Sequence, residues 1–246
     1  MADVFCKKCY FGNETFTVKG VQFTMIAVEG GTFTMGATPE QGSDAYEREK
    51  PTHQVTLSNY YIGETEVTQA LWQAVIGNNP SNFKGDNLPV EYISWDDCQE
   101  FIKKLNVLTG KNFRLPTEAE WEFAARGGKK SRGYKYSGSN NIDGVAWYGD
   151  NSGYETHTVK TKQANELGIY DMSGNVGEWC QDWYGYDSYS SAAQTNPKGP
   201  NSGSCRVNRG GSLDFSARRC RSSYRCYCDP DVRGRNLGFR LVLSAE

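Results

Sequence analysis

The side chains best able to do chemistry crowd into one stretch, Arg206 to Leu243. It reads RVNRGGSLDFSARRCRSSYRCYCDPDVRGRNLGFRLVL and holds most of the chain's arginines. Phe215, Tyr224, Tyr227, Cys226 and Cys228 sit there among Arg218, Arg219, Arg221, Arg225, Arg233 and Arg235. No helical or alternating period assigns these aromatics to one buried face. Aromatics and arginines dominate binding hot spots, so the composition suits a presented surface. It equally suits an irregular loop tied down by arginine–carboxylate pairs, and both readings stay open at this point. The thiols offer a second chemistry. Eight cysteines (Cys6, Cys9, Cys98, Cys180, Cys205, Cys220, Cys226 and Cys228) are unevenly spaced in a long chain with no leader, which favours free thiols in a reducing compartment. Cys6-Lys7-Lys8-Cys9 has the spacing of half a zinc ribbon. No second CxxC follows, and His53 and His157 stand alone.

The whole chain must position that stretch. Its 246 residues are enough to bury a sizeable core. The net charge of −2 gives no global pull toward nucleic acid. Abundant glycine (27) and aromatic residues (13%) with 37% hydrophobic residues indicate a turn-rich globule packed by rings. No apolar run is long enough to span a bilayer. The first residues show no basic region followed by an apolar stretch. The expectation is a soluble protein that is cytoplasmic, phage-associated, or surface-displayed through a removed leader.

Residues 14–35 alternate in two or three short antiparallel strands, and His53 to Ile62 reads as another. Residues 37–52, polar and charged, read as an exposed loop. Three helices follow. The first spans about Thr68 to Ile76, with Thr65 as its cap and Gly77 as its stop. The second spans about Asp96 to Leu108, capped by Ser94, and Gly110 ends it. The third opens on the capping box Thr117/Glu120, turns Trp121, Ala124 and Ala125 inward, and stops at Gly127-Gly128. Beyond Lys129 no further helix is expected, residues 129–143 and 186–204 read as surface loops, and Leu237 to Leu243 closes the chain as a strand. The fold class is α+β, a single irregular, loop-rich domain over residues 1–246. Residues 1–13 form an N-terminal extension and residues 206–243 the candidate variable region.

Five phrases then line up. They are Glu29 to Gly36 (EGGTFTMG), Glu64 to Thr68 (ETEVT), Arg114 to Glu122 (RLPTEAEWE), Asp171 to Trp179 (DMSGNVGEW), and the Arg-Gly-Gly-Ser and Asn-Leu-Gly-Phe-Arg of the last stretch. Together they resemble the formylglycine-generating enzyme (sulfatase-modifying factor) family over about residues 22–243. The resemblance implies a large, irregular variant of the C-type lectin fold. It also implies calcium at Asp171, Gly174, Val176 and Glu178, a set mixing carboxylates with positions able to offer backbone carbonyls, as hard cations prefer. An arginine-paired glutamate is the structural alternative. The family's oxidase holds copper(I) between two thiolates five positions apart. Here Phe215 matches the first and Cys220 the second, so one ligand is missing. The iron-dependent branch needs a histidine-rich set that two histidines do not supply.

The C-terminal stretch further resembles the variable region of diversity-generating retroelement target proteins. Replacing adenines in asparagine-type codons cannot reach Lys, Glu, Gln, Met or Trp, and none of these occurs from Leu213 to Arg235. Leu213, Phe215, Arg219, Tyr224, Cys226, Tyr227, Cys228, Val232, Gly234 and Arg235 are reachable types. They are set among scaffold-like Ala217, Cys220-Arg221-Ser222, Arg225, Pro230-Asp231 and Arg233. The expected function is a non-catalytic, receptor- or adhesin-like binding protein displaying these ten positions. Its ligand would be a protein or glycan on another cell or on a phage or host surface. The alternative is a divergent formylglycine-generating oxidase using Cys220 and copper on a peptide cysteine.

Overall fold

A computed structural model describes residues 11–245; Cys6 and Cys9 lie outside the described residues. In chain order the elements are β1 (Glu14–Val18), β2 (Val21–Val28), β3 (Thr32–Met35), β4 (His53–Thr56), β5 (Tyr60–Gly63), α1 (Gln69–Ile76), α2 (Trp95–Thr109), β6 (Phe113–Arg114), α3 (Glu118–Ala125), β7 (Gly177–Trp183), β8 (Gln194–Thr195), β9 (Arg206–Arg209), β10 (Arg225–Cys228), β11 (Leu237–Gly238) and β12 (Val242–Ser244). They form a five-stranded sheet β1-β2-β5-β12-β6, a four-stranded sheet β10-β9-β7-β11 and a three-stranded sheet β3-β4-β8. Mixed helix and sheet with long irregular connections is the expected α+β class.

The helices follow their capping chemistry. The Ser94 and Thr117 hydroxyls accept the Asp97 and Glu120 N–H groups, and both boxes are closed in return by the acidic side chain. Gly77 and Gly110 stop α1 and α2 in the left-handed conformation. The cap of α1 is Thr68 rather than Thr65, because the Thr68 hydroxyl reaches the Leu71 N–H. Trp72 stacks on Phe101 at 5.1 Å between α1 and α2, and Phe239 sits edge-on to both rings. A second core gathers Trp121, Met172, Cys180 and Val207 between α3 and the sheets.

Three expectations need correction. His53 to Ile62 is two strands in two different sheets, not one. The closing run also splits between sheets, into β11 and β12, because the intervening Arg240 is wholly buried against Glu178. Residues 37–52 are not a merely exposed loop. They form two short 3-10 turns whose Gln41 and Glu49 are fully buried.

Those buried charges belong to a larger set. Arg221 grips Glu49 through both nitrogens, at 2.6 and 2.8 Å. Arg225 grips Glu118 at 2.6 and 2.8 Å. Arg240 grips Glu178 at 2.6 Å twice. Arg209 pairs with Glu122, which also takes Arg126 at 2.9 Å. Every residue of α3 is buried, including Glu118, Glu120 and Glu122, because each carboxylate meets an arginine.

Removing one partner strands a charge without water. Glu122→Ala is expected to cost about 3–5 kcal/mol in urea unfolding. Phe239→Ala, which empties the ring cluster, should cost roughly as much. A loss near the ordinary value of about 1 kcal/mol for Glu122→Ala would show that the pair is not a structural clamp.

Candidate ligand-binding face and metal loop

The C-terminal stretch contains little regular structure, yet its backbone is held. Arg209 donates to the carbonyls of Ser222, Ser223 and Tyr224 at 2.9, 3.1 and 2.8 Å. Ser223 donates its hydroxyl to Glu49 at 2.5 Å. The Arg221 guanidinium holds the Glu49 carboxyl below its ordinary range, against the upward push of burial. At the turn before the stretch, Gly211 has φ +74°, and a Cβ there would meet the Cys220 sulfur at 2.7 Å.

On this frame the ten display positions divide. Arg219, Tyr227, Val232 and Arg235 are exposed, Tyr227 by 45% and Val232 by 39%. Phe215, Cys226, Cys228 and Gly234 are half-buried. Leu213 and Tyr224 are not displayed, being 0% and 2% exposed. Leu213 lies under Ser152, which donates to its carbonyl. Tyr224 is covered by Tyr46, Phe215 and Arg48. Cys220 and Arg221, expected as scaffold, are completely buried, as is Phe239.

The exposed and half-buried side chains fall into local groups. Tyr227 stacks on Tyr184 at 4.1 Å. Arg219 lies over Phe215 at 5.0 Å, and Phe215 meets Tyr224 edge-on. Besides Tyr184, two residues outside the stretch pack against it, Tyr46 and Arg48, and sequence reading missed them. Tyr46 is covered by Arg218 at 3.8 Å and by Arg48 at 4.6 Å. Arg48 donates to the Arg225 carbonyl at 2.9 Å, which docks its loop along β10. Only the burial of Glu49, one residue on, would have signalled that this loop faces the protein. Val232, Gly234 and Arg235 lie on the following loop, tied back where Gly234 accepts from the Tyr92 N–H and Asn236 donates to Asp214.

The thiol chemistry does not assemble. Cys98, Cys180, Cys205, Cys220, Cys226 and Cys228 are all free. Cys220 is enclosed by Tyr136, Val145, Ala146 and Tyr148, and burial pushes its thiol up to about 12. Phe215, where the oxidase has its first thiolate, packs on the same cluster. A buried neutral thiol beside a phenyl ring does not fit copper(I), which needs thiolates.

In the metal loop, Gly174 has φ +81°, and a Cβ would strike the Trp147 carbonyl at 2.2 Å. Asp171 accepts from the Lys160 N–H at 2.8 Å. Glu178 is shared between Arg240 and the Trp121 indole. Glu66 joins from β5's far end, accepting from Asn175 and the Val176 N–H. Burial raises Asp171 to about 6, and burial with its two acidic neighbours raises Glu66. Three buried carboxylates thus face one guanidinium. Among the described residues no three His, Cys, Asp or Glu side chains converge as a metal cage. The expected set instead draws half its oxygens from main-chain carbonyls.

A C-type-lectin-like scaffold of the formylglycine-generating type, carrying a clamped C-terminal face and no assembled thiolate pair, is the class these features define. A family profile described as sulfatase-modifying factor enzyme 1-like domain matches residues 14–245, and the chain belongs to that family. It is 36% identical to the chaperone protein LppX of Paenibacillus barcinonensis, over 89% of each chain. It is 30% identical to the formylglycine-generating enzyme of Streptomyces coelicolor, over 90% of this chain and 89% of the other. Among solved structures, Treponema denticola variable protein 1 superposes with a TM-score of 0.86 at 38% identity, covering 95% of this chain and 99% of that one.

If the face is presentation rather than packing, its loss must leave the fold intact. A variant with alanine at the exposed positions Arg219, Tyr227, Val232 and Arg235 should melt near the parent, since surface changes usually stay within about 0.5 kcal/mol each. Tyr224→Ala, at a buried ring, should melt well below it. Unfolding of the four-alanine variant would make these side chains core.

Proposed function

We propose that the chain is a non-catalytic binding protein whose C-terminal face is diversified by a retroelement. The observation that carries this is the separation of duties from Leu213 to Arg235. Arg221 and Arg225 are buried and paired, while Arg219, Tyr227, Val232 and Arg235 point outward with no carboxylate partner among the described residues. Side chains can change at such positions without disturbing the clamp. The likeness to a solved variable protein supports the same reading. The oxidase reading lacks its thiolate pair. The ligand is a protein or glycan on another cell, phage or host surface. No helix of the described residues is long and apolar enough to cross a membrane. The neighbouring DNA tests the class. A nearly identical repeat of the segment encoding residues 213–235, beside a reverse-transcriptase gene, is expected. Its absence would return the oxidase to the front.

Calcium at Asp171, Gly174, Val176 and Glu178 is part of the proposal. The donors are hard oxygens, and the local excess of carboxylate over guanidinium favours a dication. A cation bound only by the native state raises stability by mass action, about 2.7 kcal/mol at a hundredfold excess over Kd. Melting should rise with calcium and fall with chelator, and Asp171→Asn should flatten both responses. Glu178→Ala would be uninformative, because it also strands Arg240. Melting indifferent to calcium and chelator in the parent protein would remove the site.

A further inference from the structure

We propose that the binding face has a fixed half, the segment Asp44–Arg48, and that it takes an acidic segment of a partner protein. The proposal rests on the display reading and adds both a second element and the chemistry of the ligand. Tyr46 and Arg48 lie far outside residues 213–235, so diversification of that stretch leaves them unchanged. They are nevertheless interleaved with it. Guanidinium and ring alternate from Arg218 to Tyr46 to Arg48 to Tyr224, at 3.8, 4.6 and 5.1 Å. Arg219 over Phe215 continues the tract. The segment is anchored beneath: Arg218 and Arg221 both donate to the Asp44 carbonyl, and Arg225 donates to the Arg48 carbonyl.

The charge of this tract is not met by a direct ion pair, although the Asp44 carboxylate, bound to Lys135, lies near enough to feel Arg218. Arg48, Arg218 and Arg219 have no carboxylate partner among the described residues. The acids nearest in sequence are occupied: Asp44 with Lys135, Glu47 with Lys50, and Asp214 with Ser212 and Asn236. Three cations held close together against mutual repulsion, in a chain of net charge −2, call for an anionic ligand. Stacking on a ring and an Nε–H bond to a main-chain carbonyl fix the Arg48 and Arg218 guanidinium planes, leaving their terminal N–H groups for a carboxylate.

The choice of protein over glycan follows from the rings. A sugar stacks its C–H face on a free aromatic face. Here Tyr46 is faced by two guanidiniums, Phe215 by Arg219, and Tyr227 by Tyr184. At least one face of each of these rings is already covered, and guanidinium edges dominate what the tract offers. The fixed half supplies affinity for acidic surface in general, and Arg219, Tyr227 and their neighbours supply the selection among acidic surfaces.

The test measures binding of the whole chain to immobilised poly-glutamate, with poly-glutamine and heparin as comparison probes. The parent should bind poly-glutamate, lose binding as salt rises, ignore poly-glutamine and prefer poly-glutamate to heparin. Arg48→Gln should bind about two- to fivefold more weakly, and the double variant Arg48→Gln/Arg218→Gln, which also removes a cation of the C-terminal stretch, roughly tenfold more weakly. Arg48→Lys should recover part of the loss without the forked geometry. Melting temperatures near the parent's establish that the variants are folded; should Arg48→Gln unfold, Arg48→Lys, which keeps the charge but not the fork, carries the test of the fixed half. No binding to poly-glutamate at low salt overturns the proposal, as does a double variant that binds like the parent. Preference for heparin replaces the acidic protein with a sulfated glycan and also overturns it. If Arg219→Gln and Tyr227→Ala weaken binding while the double variant does not, the fixed half falls and the display reading survives. The display reading itself is judged separately, by the melting of the four-alanine variant and by the neighbouring DNA.

Discussion

The buried arginine–glutamate clamps are the constraint on which the rest depends. Four arginines from the last part of the chain, Arg209, Arg221, Arg225 and Arg240, are fully enclosed, each against a glutamate from an earlier part. Such pairs contribute little net stability, because desolvating two ions roughly cancels their attraction. Their consequence is positional. A guanidinium in this interior has one acceptable arrangement, and any backbone shift that breaks it leaves a bare charge. For a segment with one short 3-10 turn and few strand residues between Gly210 and Leu237, this substitutes for the hydrogen-bond ladder that a sheet would supply.

That substitution explains why the face can vary. In a helix or sheet, side-chain identity feeds back on the backbone through propensity and cross-strand packing. Here the path of Ser222 to Tyr224 is set by three hydrogen bonds from Arg209, made to carbonyls that every residue type possesses. Outward side chains are therefore nearly free of folding duties, and the face is rigid before a ligand arrives, which lowers the entropy lost on binding. Leu213 and Tyr224 show the limit of this freedom. Both are buried, so a polar substitution at either would be felt by the core.

Much of the frame was legible in the sequence. The helix boundaries followed from Ser94, Thr117, Gly77 and Gly110, since caps are local chemistry. The clamps were not legible in full. Glu49 sits in a run of charges that reads as solvated, and its partner lies 172 residues away, beyond any local period. Tyr46 and Arg48 were missed for the same reason. Leu213 and Tyr224 were misplaced because a residue type reachable by mutation says nothing about the direction its side chain takes. Arg240 split the closing strand because a charge inside an apolar run can be buried as well as exposed, and only the position of Glu178 decides.

The same clamps limit what family membership says about chemistry. The phrases that carry the resemblance, RLPTEAEWE and DMSGNVGEW, contribute Glu118, Glu122 and Glu178, and all three serve as counter-ions to arginines. Glu120 pairs with Arg114 and closes a helix cap. These motifs therefore report the scaffold. The residues that would report oxidation are a thiolate pair, and they occupy positions within the clamped stretch, where Phe215 and an enclosed Cys220 stand. A scaffold that holds one segment in place through Arg221 and Arg225 can keep those clamps while the outward positions around them change.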